Sequence, residues 1–142
     1  MRSQRTGYGA VVRLDAGEEI VASLAMWAQA HGVRGGTLSG IGAVGETELG
    51  FFHRDSQTYE KRTFTGDHEI LSLLGNLSLL DGKPFPHCHL ILAGPDFVAY
   101  GGHLFRGVVA VTCEVHVVLS DTPIVRQARL ERGFHPLAPQ DD

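Results

Sequence analysis

The sequence has few cysteines and no long apolar run. Cys88 and Cys113 are the only two cysteines; each lies within an apolar stretch and neither has a CxxC partner. This usage favours buried, reduced thiols in a cytosolic protein, with a single disulfide as the alternative. The apolar runs are too short to cross a bilayer. The amino-terminal residues lack the continuous apolar segment of a secretory signal. We therefore expect a cytoplasmic protein without a membrane partner.

The sequence also lacks an excess of positive charge. Twelve Lys and Arg stand against sixteen Asp and Glu, so the formal net charge is −4 with histidine neutral. Such a chain repels nucleic-acid phosphates unless it carries a local basic patch. Arg126, Arg129 and Arg132 are the candidates for that patch, but we interpret them as a solvated strand edge. DNA is therefore a partner that the charge does not favour.

Length and composition predict one globular domain. The chain has 142 residues, of which 43% are hydrophobic and 20% are charged. These values are ordinary for a folded domain with its own core. We expect a single domain over residues 1–142, with a flexible tail at about residues 136–142. Eight histidines, an unusually high number, raise the question of a metal.

The first third of the chain predicts a strand followed by a helix. Residues 8–14 alternate with period two, which indicates a half-buried strand. Asp15 and Glu18 have the spacing of a capping box, and apolar residues then recur at helical spacing until Gly32. We predict one main helix at about residues 17–31, with His31 capping its last turn.

The remainder predicts strands separated by glycines. Their expected positions are residues 37–41, 47–52, 70–80, 85–93, 98–105 and 108–119. Residues 53–68 carry much of the mid-chain charge and predict an exposed loop or edge hairpin. No second long amphipathic helix is present. The predicted fold class is α+β: a mostly antiparallel β-sheet packed by one helix.

Residues 40–45 match GxGxxG, a pattern that occurs in dinucleotide-binding folds. In those folds the pattern opens a helix, whereas here the residues that follow alternate like a strand. We therefore interpret the segment as a glycine-rich bend between closely packed backbones and expect no nucleotide cofactor.

Three histidines are predicted to converge. His87 and His89 are two residues apart, so in a strand both imidazoles project from one face and Cys88 from the other. Gly94-Pro95-Asp96 indicates a turn, and a hairpin that places Ala93 opposite Ala99 sets His89 opposite His103. A bulge at the neighbouring glycines would instead turn His103 away.

We predict that His87, His89 and His103 bind a divalent transition metal, with zinc as the first candidate. Three imidazoles leave a fourth position open for water or a substrate oxygen. Nickel, copper, iron and manganese are compatible with the same ligands. A hydrogen-bonded histidine cluster without metal is the alternative.

Other sites fit the residues less well. A cupin would need a glutamate three or four residues after His89, where Leu92 and Ala93 stand. Glu114, on one face of the next strand with Thr112 and His116, could support a metal ligand or act as an acid/base group. A structural or interface role is the alternative that we favour for it. No catalytic residue can be assigned.

Several ordered motifs resemble the PPC domain, the plant and prokaryote conserved domain, in its stand-alone prokaryotic form without an AT-hook. The similarity extends over about residues 8–135. The motifs are GGTLSGIGAV at residues 35–44, EILSLLGNLS at 69–78, DGKPFPHCH at 81–89, GGHLFRG at 101–107 and TCEV at 112–115.

The resemblance implies a compact α+β fold that assembles as a homotrimer. It also implies a metal site at the His-x-His pair and the histidine of Gly-Gly-His, here His87, His89 and His103. Plant relatives join the domain to AT-hooks that bind DNA, and prokaryotic members are often labelled DNA-binding by analogy. This chain has no Arg-Gly-Arg-Pro core.

Three functions therefore compete. The first is a homotrimeric metal-binding protein whose open site takes a small-molecule ligand, with metal-assisted hydrolysis as a catalytic extension. The second is a DNA-binding regulator. The third is a trimeric scaffold for another protein.

Overall fold

The computed structural model describes residues 1–127 and 134–139. One helix and seven strands follow in the order β1 (Arg2–Thr6), β2 (Gly9–Asp15), α1 (Ile20–Ala30), β3 (Gly36–His53), β4 (Thr58–Phe64), β5 (His68–Leu80), β6 (Lys83–Ala93) and β7 (Ala99–Leu119). No helix within these residues is both long and apolar enough to cross a bilayer.

The seven strands form one antiparallel sheet in the order β1-β2-β7-β6-β5-β3-β4, and β7 pairs with β3 as well. The long strand β7 therefore pairs with β6 along residues 99–103, with β3 along residues 103–119 and with β2 along residues 112–118. The predicted α+β class, with a mostly antiparallel sheet and one helix, is confirmed.

The core lies between α1 and one face of the sheet. Ile20 and Leu24 of the helix pack in one buried cluster with Leu90 and Leu92 of β6 and Val115 of β7. Each fully buried side chain of this kind contributes roughly 2 kcal/mol of hydrophobic stabilisation. The opposite face, which we call the outer face, is turned away from the helix.

The helix starts later than predicted because a different residue caps it. The side chain of Glu19 accepts hydrogen bonds from the amides of Val21 and Ala22. Asp15, the expected cap, ends strand β2, and its own amide donates to Glu18 at 2.7 Å. The expected capping box is thus wrong, although one of its two hydrogen bonds forms. His31 caps the other end as predicted, with Nδ1 2.9 Å from the Trp27 carbonyl oxygen.

Two pairs of predicted strands are single continuous strands, β3 and β7. Their glycines bend the backbone without ending it, and the pairing register shifts around Gly42. A Cβ atom at Gly42 would lie 2.2 Å from the Thr112 carbonyl oxygen of β7, so the strands approach more closely than any side chain allows. The GxGxxG segment is therefore a bend within β3, as expected.

The two edge strands of the sheet are β4 and β1. Strand β4 pairs with β3 at one edge, so the charged segment 53–68 forms the edge hairpin that was one of its two predicted forms. Strand β1 pairs with β2 at the other edge and was missed. All five of its residues are exposed, so it has no apolar alternation to reveal it.

Candidate metal centre

The predicted hairpin forms with the predicted register. Strands β6 and β7 pair with Ala93 opposite Ala99 and His89 opposite His103. A backbone hydrogen bond of 3.0 Å from Phe97 to Gly94 closes the turn between them. The bulge that would have turned His103 away does not occur in this pair of strands.

Three imidazoles meet on the outer face. One ligand nitrogen from each of His87, His89 and His103 lies within 4.8 Å of the other two. Nε2 of His87 is 3.1 Å from Nδ1 of His103, which is hydrogen-bonding distance. Cys88 is 1% exposed and points into the core, on the other side of the sheet, as predicted. The strand pairing therefore brings the three predicted ligands together and leaves the thiol out.

A buried guanidinium adjoins this cluster. Arg126 donates from Nε to Ser78 Oγ at 2.7 Å, and from Nη2 to Asn76 Oδ1 at 2.6 Å and to His87 Nδ1 at 3.2 Å. Its Nη1 donates to the carbonyl oxygen of His135. All four partners are formally neutral, and no ion pair among the described residues includes Arg126.

The prediction of a solvated strand edge is wrong for Arg126, which is only 8% exposed. After β7 the chain returns alongside β5, and Val125 forms a parallel bridge with Leu79. This pairing places the next residue, Arg126, beside Asn76 and Ser78 of β5. Arg129 and Arg132, the other two residues of the predicted patch, lie outside the described residues.

The three histidines open into a cavity of about 640 Å³. This volume is typical of a small-molecule site. Five aromatic side chains form much of its wall, and two arginines also line it. The lining consists of Phe52, Arg54, Tyr59, Phe85, His87, His89, His103, Phe105, Arg126, Phe134, His135 and Pro136. The lining contributed by the described residues contains no carboxylate.

The chain matches the sequence model of a known protein family. Residues 1–121 match the Plants and Prokaryotes Conserved (PCC) domain, another name for the PPC domain. The chain belongs to this family. The family resemblance drawn from the motifs is thereby confirmed. Among curated proteins, none matches the chain.

Solved structures share the fold of this PCC domain. A proposed DNA-binding protein from Bacteroides thetaiotaomicron has a TM-score of 0.91 and 28% identity, covering 96% of each chain. A PPC protein from Pyrococcus horikoshii has a TM-score of 0.85 and 28% identity, covering 99% of this chain and 95% of its own. A metal-containing protein from Archaeoglobus fulgidus has a TM-score of 0.82 and 35% identity, covering 91% of each chain.

Burial favours the neutral form of two of the three histidines in this PCC domain, His87 and His103. The pKa of His103 falls to about 4, chiefly because burial disfavours the imidazolium and further because His87 and His89 lie nearby. The pKa of His87 is also lowered, first by burial and then by the positive charge of Arg126. A neutral imidazole has the lone pair that a metal requires.

The donor set fits a transition metal ion with one rearrangement. Because a guanidinium only donates, the contact from Arg126 makes Nδ1 of His87 an acceptor, and the proton of this neutral ring then sits on Nε2. An ion bound through Nε2 would require that proton on Nδ1. His87 and Arg126 would then both be donors, so their contact would have to open. The ligands are otherwise three imidazole nitrogens beside an open cavity, as in an open zinc site.

Glu114 lies apart from this cavity. Its side chain is exposed on the outer face, and Ile41 stands directly opposite it on β3. It lines a separate shallow depression with Ser39 and Leu74. The structure thus does not bring Glu114 to the histidines. The structural or interface role that we favoured for it is consistent with this position.

Proposed function

We propose that this PCC-domain protein binds a divalent transition metal ion, zinc first, through His87, His89 and His103, and that the ion faces a small-molecule site. The observation that carries the proposal is the convergence of three imidazoles at the wall of a cavity of about 640 Å³. The description of the Archaeoglobus fulgidus relative as metal-containing supports it.

The residues around the ion have separable tasks. The histidines hold it and leave one coordination position toward the cavity. The aromatic walls exclude water from a ligand bound there. When bound, such an ion polarises a ligand oxygen or activates water, and metal-assisted hydrolysis of an ester, amide or phosphoryl group is the catalytic extension of the proposal. Catalysis would need a base, and the described lining contains no carboxylate to serve as one.

Elemental analysis tests the metal site. Protein purified without a tag, chelator or added metal should contain close to one transition-metal ion per chain, and His103→Ala should lose it. His116→Ala is the matched control, because His116 is an exposed histidine of the same strand outside the cluster. A His103→Ala protein with undiminished metal content would refute the ligand assignment. Parent protein that is metal-free and takes up no zinc would refute the site.

We also propose that the protein assembles as a homotrimer through the outer face of the sheet. Four large apolar side chains on that face are exposed: Ile41 at 59%, Leu74 at 60%, Ile91 at 45% and Val118 at 55%. Such a group is typical of an interaction surface. Leu74 stands directly opposite His89 in the pairing of β5 with β6, so an interface here would adjoin the metal centre.

Light scattering tests the assembly. The parent should have three times the chain mass of 15.4 kDa. Ile41→Lys should reduce the mass to that of one chain, because it places a charge in the interface. Its fold should persist, since Glu114 stands directly opposite to pair with the new lysine. Tyr8→Lys is the control, because Tyr8 is 85% exposed outside strands β1 and β2. A monomeric parent would refute the trimer.

A DNA-binding regulator is the second candidate, favoured by the description of the Bacteroides thetaiotaomicron structure. The net charge of −4 opposes DNA binding. Of the three arginines in the predicted basic patch, the structure describes only Arg126, and this residue is buried. Fluorescence anisotropy with a labelled duplex decides between the two. A steep loss of binding with rising salt would support the DNA role. Absence of binding at about 50 mM salt would remove it.

A further inference from the structure

The cavity beside the histidines carries positive charge without a described negative partner. Arg126 is 8% exposed and bonds to Ser78, Asn76, His87 and the His135 carbonyl, which are all formally neutral. Arg54 lines the same cavity. A buried charge without a counter-charge is costly, so the cavity favours an anion. The metal proposed above would add two further positive charges.

Metal binding would also prepare Arg126 for an anion. In the structure, Nη2 divides its protons between Asn76 and His87, while Nη1 uses one of its two for the His135 carbonyl. As described above, an ion on His87 Nε2 would end the contact with Nδ1. One proton on each terminal nitrogen would then be free. A guanidinium with a free proton on each terminal nitrogen can donate to both oxygens of one carboxylate.

The remainder of the cavity is suited to an apolar body. Phe52 and Phe134 are in edge contact with ring centroids 5.5 Å apart, and Tyr59 and Phe105 with centroids 5.0 Å apart. Phe85 lies beneath the Arg126 guanidinium at 5.0 Å. These walls offer ring faces and edges, which favour an aromatic or aliphatic group. The volume exceeds the need of an inorganic anion alone.

We propose that the cavity binds a small organic carboxylate with an aromatic or other apolar body, its carboxylate placed between Arg126 and the metal ion. This inference rests on the metal centre proposed above. A phosphate monoester fits less well, because its additional oxygens need further hydrogen-bond donors. The amino terminus of α1 does not supply them to the cavity, since the helix packs on the opposite face of the sheet.

Calorimetric titration of zinc-loaded protein with phenylacetate tests the proposal. Phenylacetate should bind at least tenfold more tightly than phenylacetamide, which has the same shape without the charge. Zinc content is measured first on the same sample, so loss of the metal centre is recognised separately from failure of the ligand assignment. Equal affinity for the two probes, or binding of phenyl phosphate but not phenylacetate, would overturn the carboxylate.

Two variants locate the two halves of the ligand. Arg126→Lys keeps the charge but not the paired donors, and should weaken phenylacetate at least tenfold while zinc content stays unchanged. Phe134 is 37% exposed, so we expect the fold to tolerate Phe134→Ala. This variant should bind phenylacetate more weakly than the parent and should bind acetate with unchanged affinity. Arg106→Gln, at an exposed arginine paired with Glu46, is the control.

Either of two results would contradict the proposal. Undiminished phenylacetate binding by zinc-loaded Arg126→Lys would overturn the role of the guanidinium. Equal affinity in zinc-free and zinc-loaded parent protein would overturn the shared position between arginine and metal.

Discussion

The Nε2 atom of His87 lies 3.1 Å from the Nδ1 atom of His103 across strands β6 and β7. Since Arg126 donates to His87 Nδ1, the proton on His87 Nε2 bridges the two rings, and the same two residues would help to hold the proposed metal ion. The contact therefore connects the pH response of the folded protein with the proposed metal centre.

Acid should destabilise the metal-free protein partly through His103. Its pKa is about 4 in the folded state, below the ordinary value of 6.5. Between these values the unfolded chain binds a proton that the folded chain does not, so stability falls as pH falls from 6.5 to 4 and this contribution is absent above 6.5. His87 acts in the same direction, because its pKa is lowered too.

Urea unfolding of chelator-treated protein at several pH values across this interval measures the effect. His103→Gln removes one of the two titrating groups and should give a shallower dependence of the free energy of unfolding on pH. Parallel curves for the variant and the parent would contradict the assignment.

Glu19 should stabilise the fold more than an exposed helix cap does. Its carboxylate accepts hydrogen bonds from the amides of Val21 and Ala22 and, at 3.1 Å, from Gly107 of β7. Glu19→Ala should lower the free energy of unfolding by about 1–2 kcal/mol, the usual effect of losing a cap. Glu19→Gln retains one acceptor oxygen and should lose less. Equal losses in a urea titration would show that the carboxylate contacts contribute little.

Two glycines of the GxGxxG segment should respond differently to the same substitution. A Cβ atom at Gly42 would lie 2.2 Å from the Thr112 carbonyl oxygen, whereas at Gly45 the nearest atom is 3.9 Å away. Gly42→Ala should therefore destabilise the protein by about 1–3 kcal/mol, since the backbone must shift. Gly45→Ala is the matched control. Thermal melts with equal midpoints would contradict the close approach of β3 and β7.

The two thiols should be unreactive in the folded protein. Burial raises the pKa of Cys88 and of Cys113 to about 12, so almost no thiolate exists at neutral pH. Both are free and buried, which agrees with the expected reduced thiols. Iodoacetamide should label neither residue in buffer and both in urea, as mass spectrometry would show. Rapid labelling of either residue in buffer would indicate local opening of the core.

The sequence by itself determined the features that depend on short-range geometry. Period-two spacing placed His87 and His89 on one face and Cys88 on the other, and the turn signal at Gly94 fixed the register that set His89 opposite His103. Both arguments need only the alternation of a strand and the closure of a tight turn. The main helix followed in the same way from its apolar spacing.

The tertiary structure decided what depends on long-range contact. Arg126 reaches His87 across 39 positions of sequence, and only the bridge of Val125 with Leu79 brings it there. Asn76 and Ser78 were the available signal, as polar residues in the otherwise apolar segment 73–80 of β5, but a strand does not reveal which distant donor will satisfy them. The aromatic walls come likewise from separate segments. Local periodicity specifies the direction in which a side chain points, whereas its neighbours depend on how the whole sheet packs.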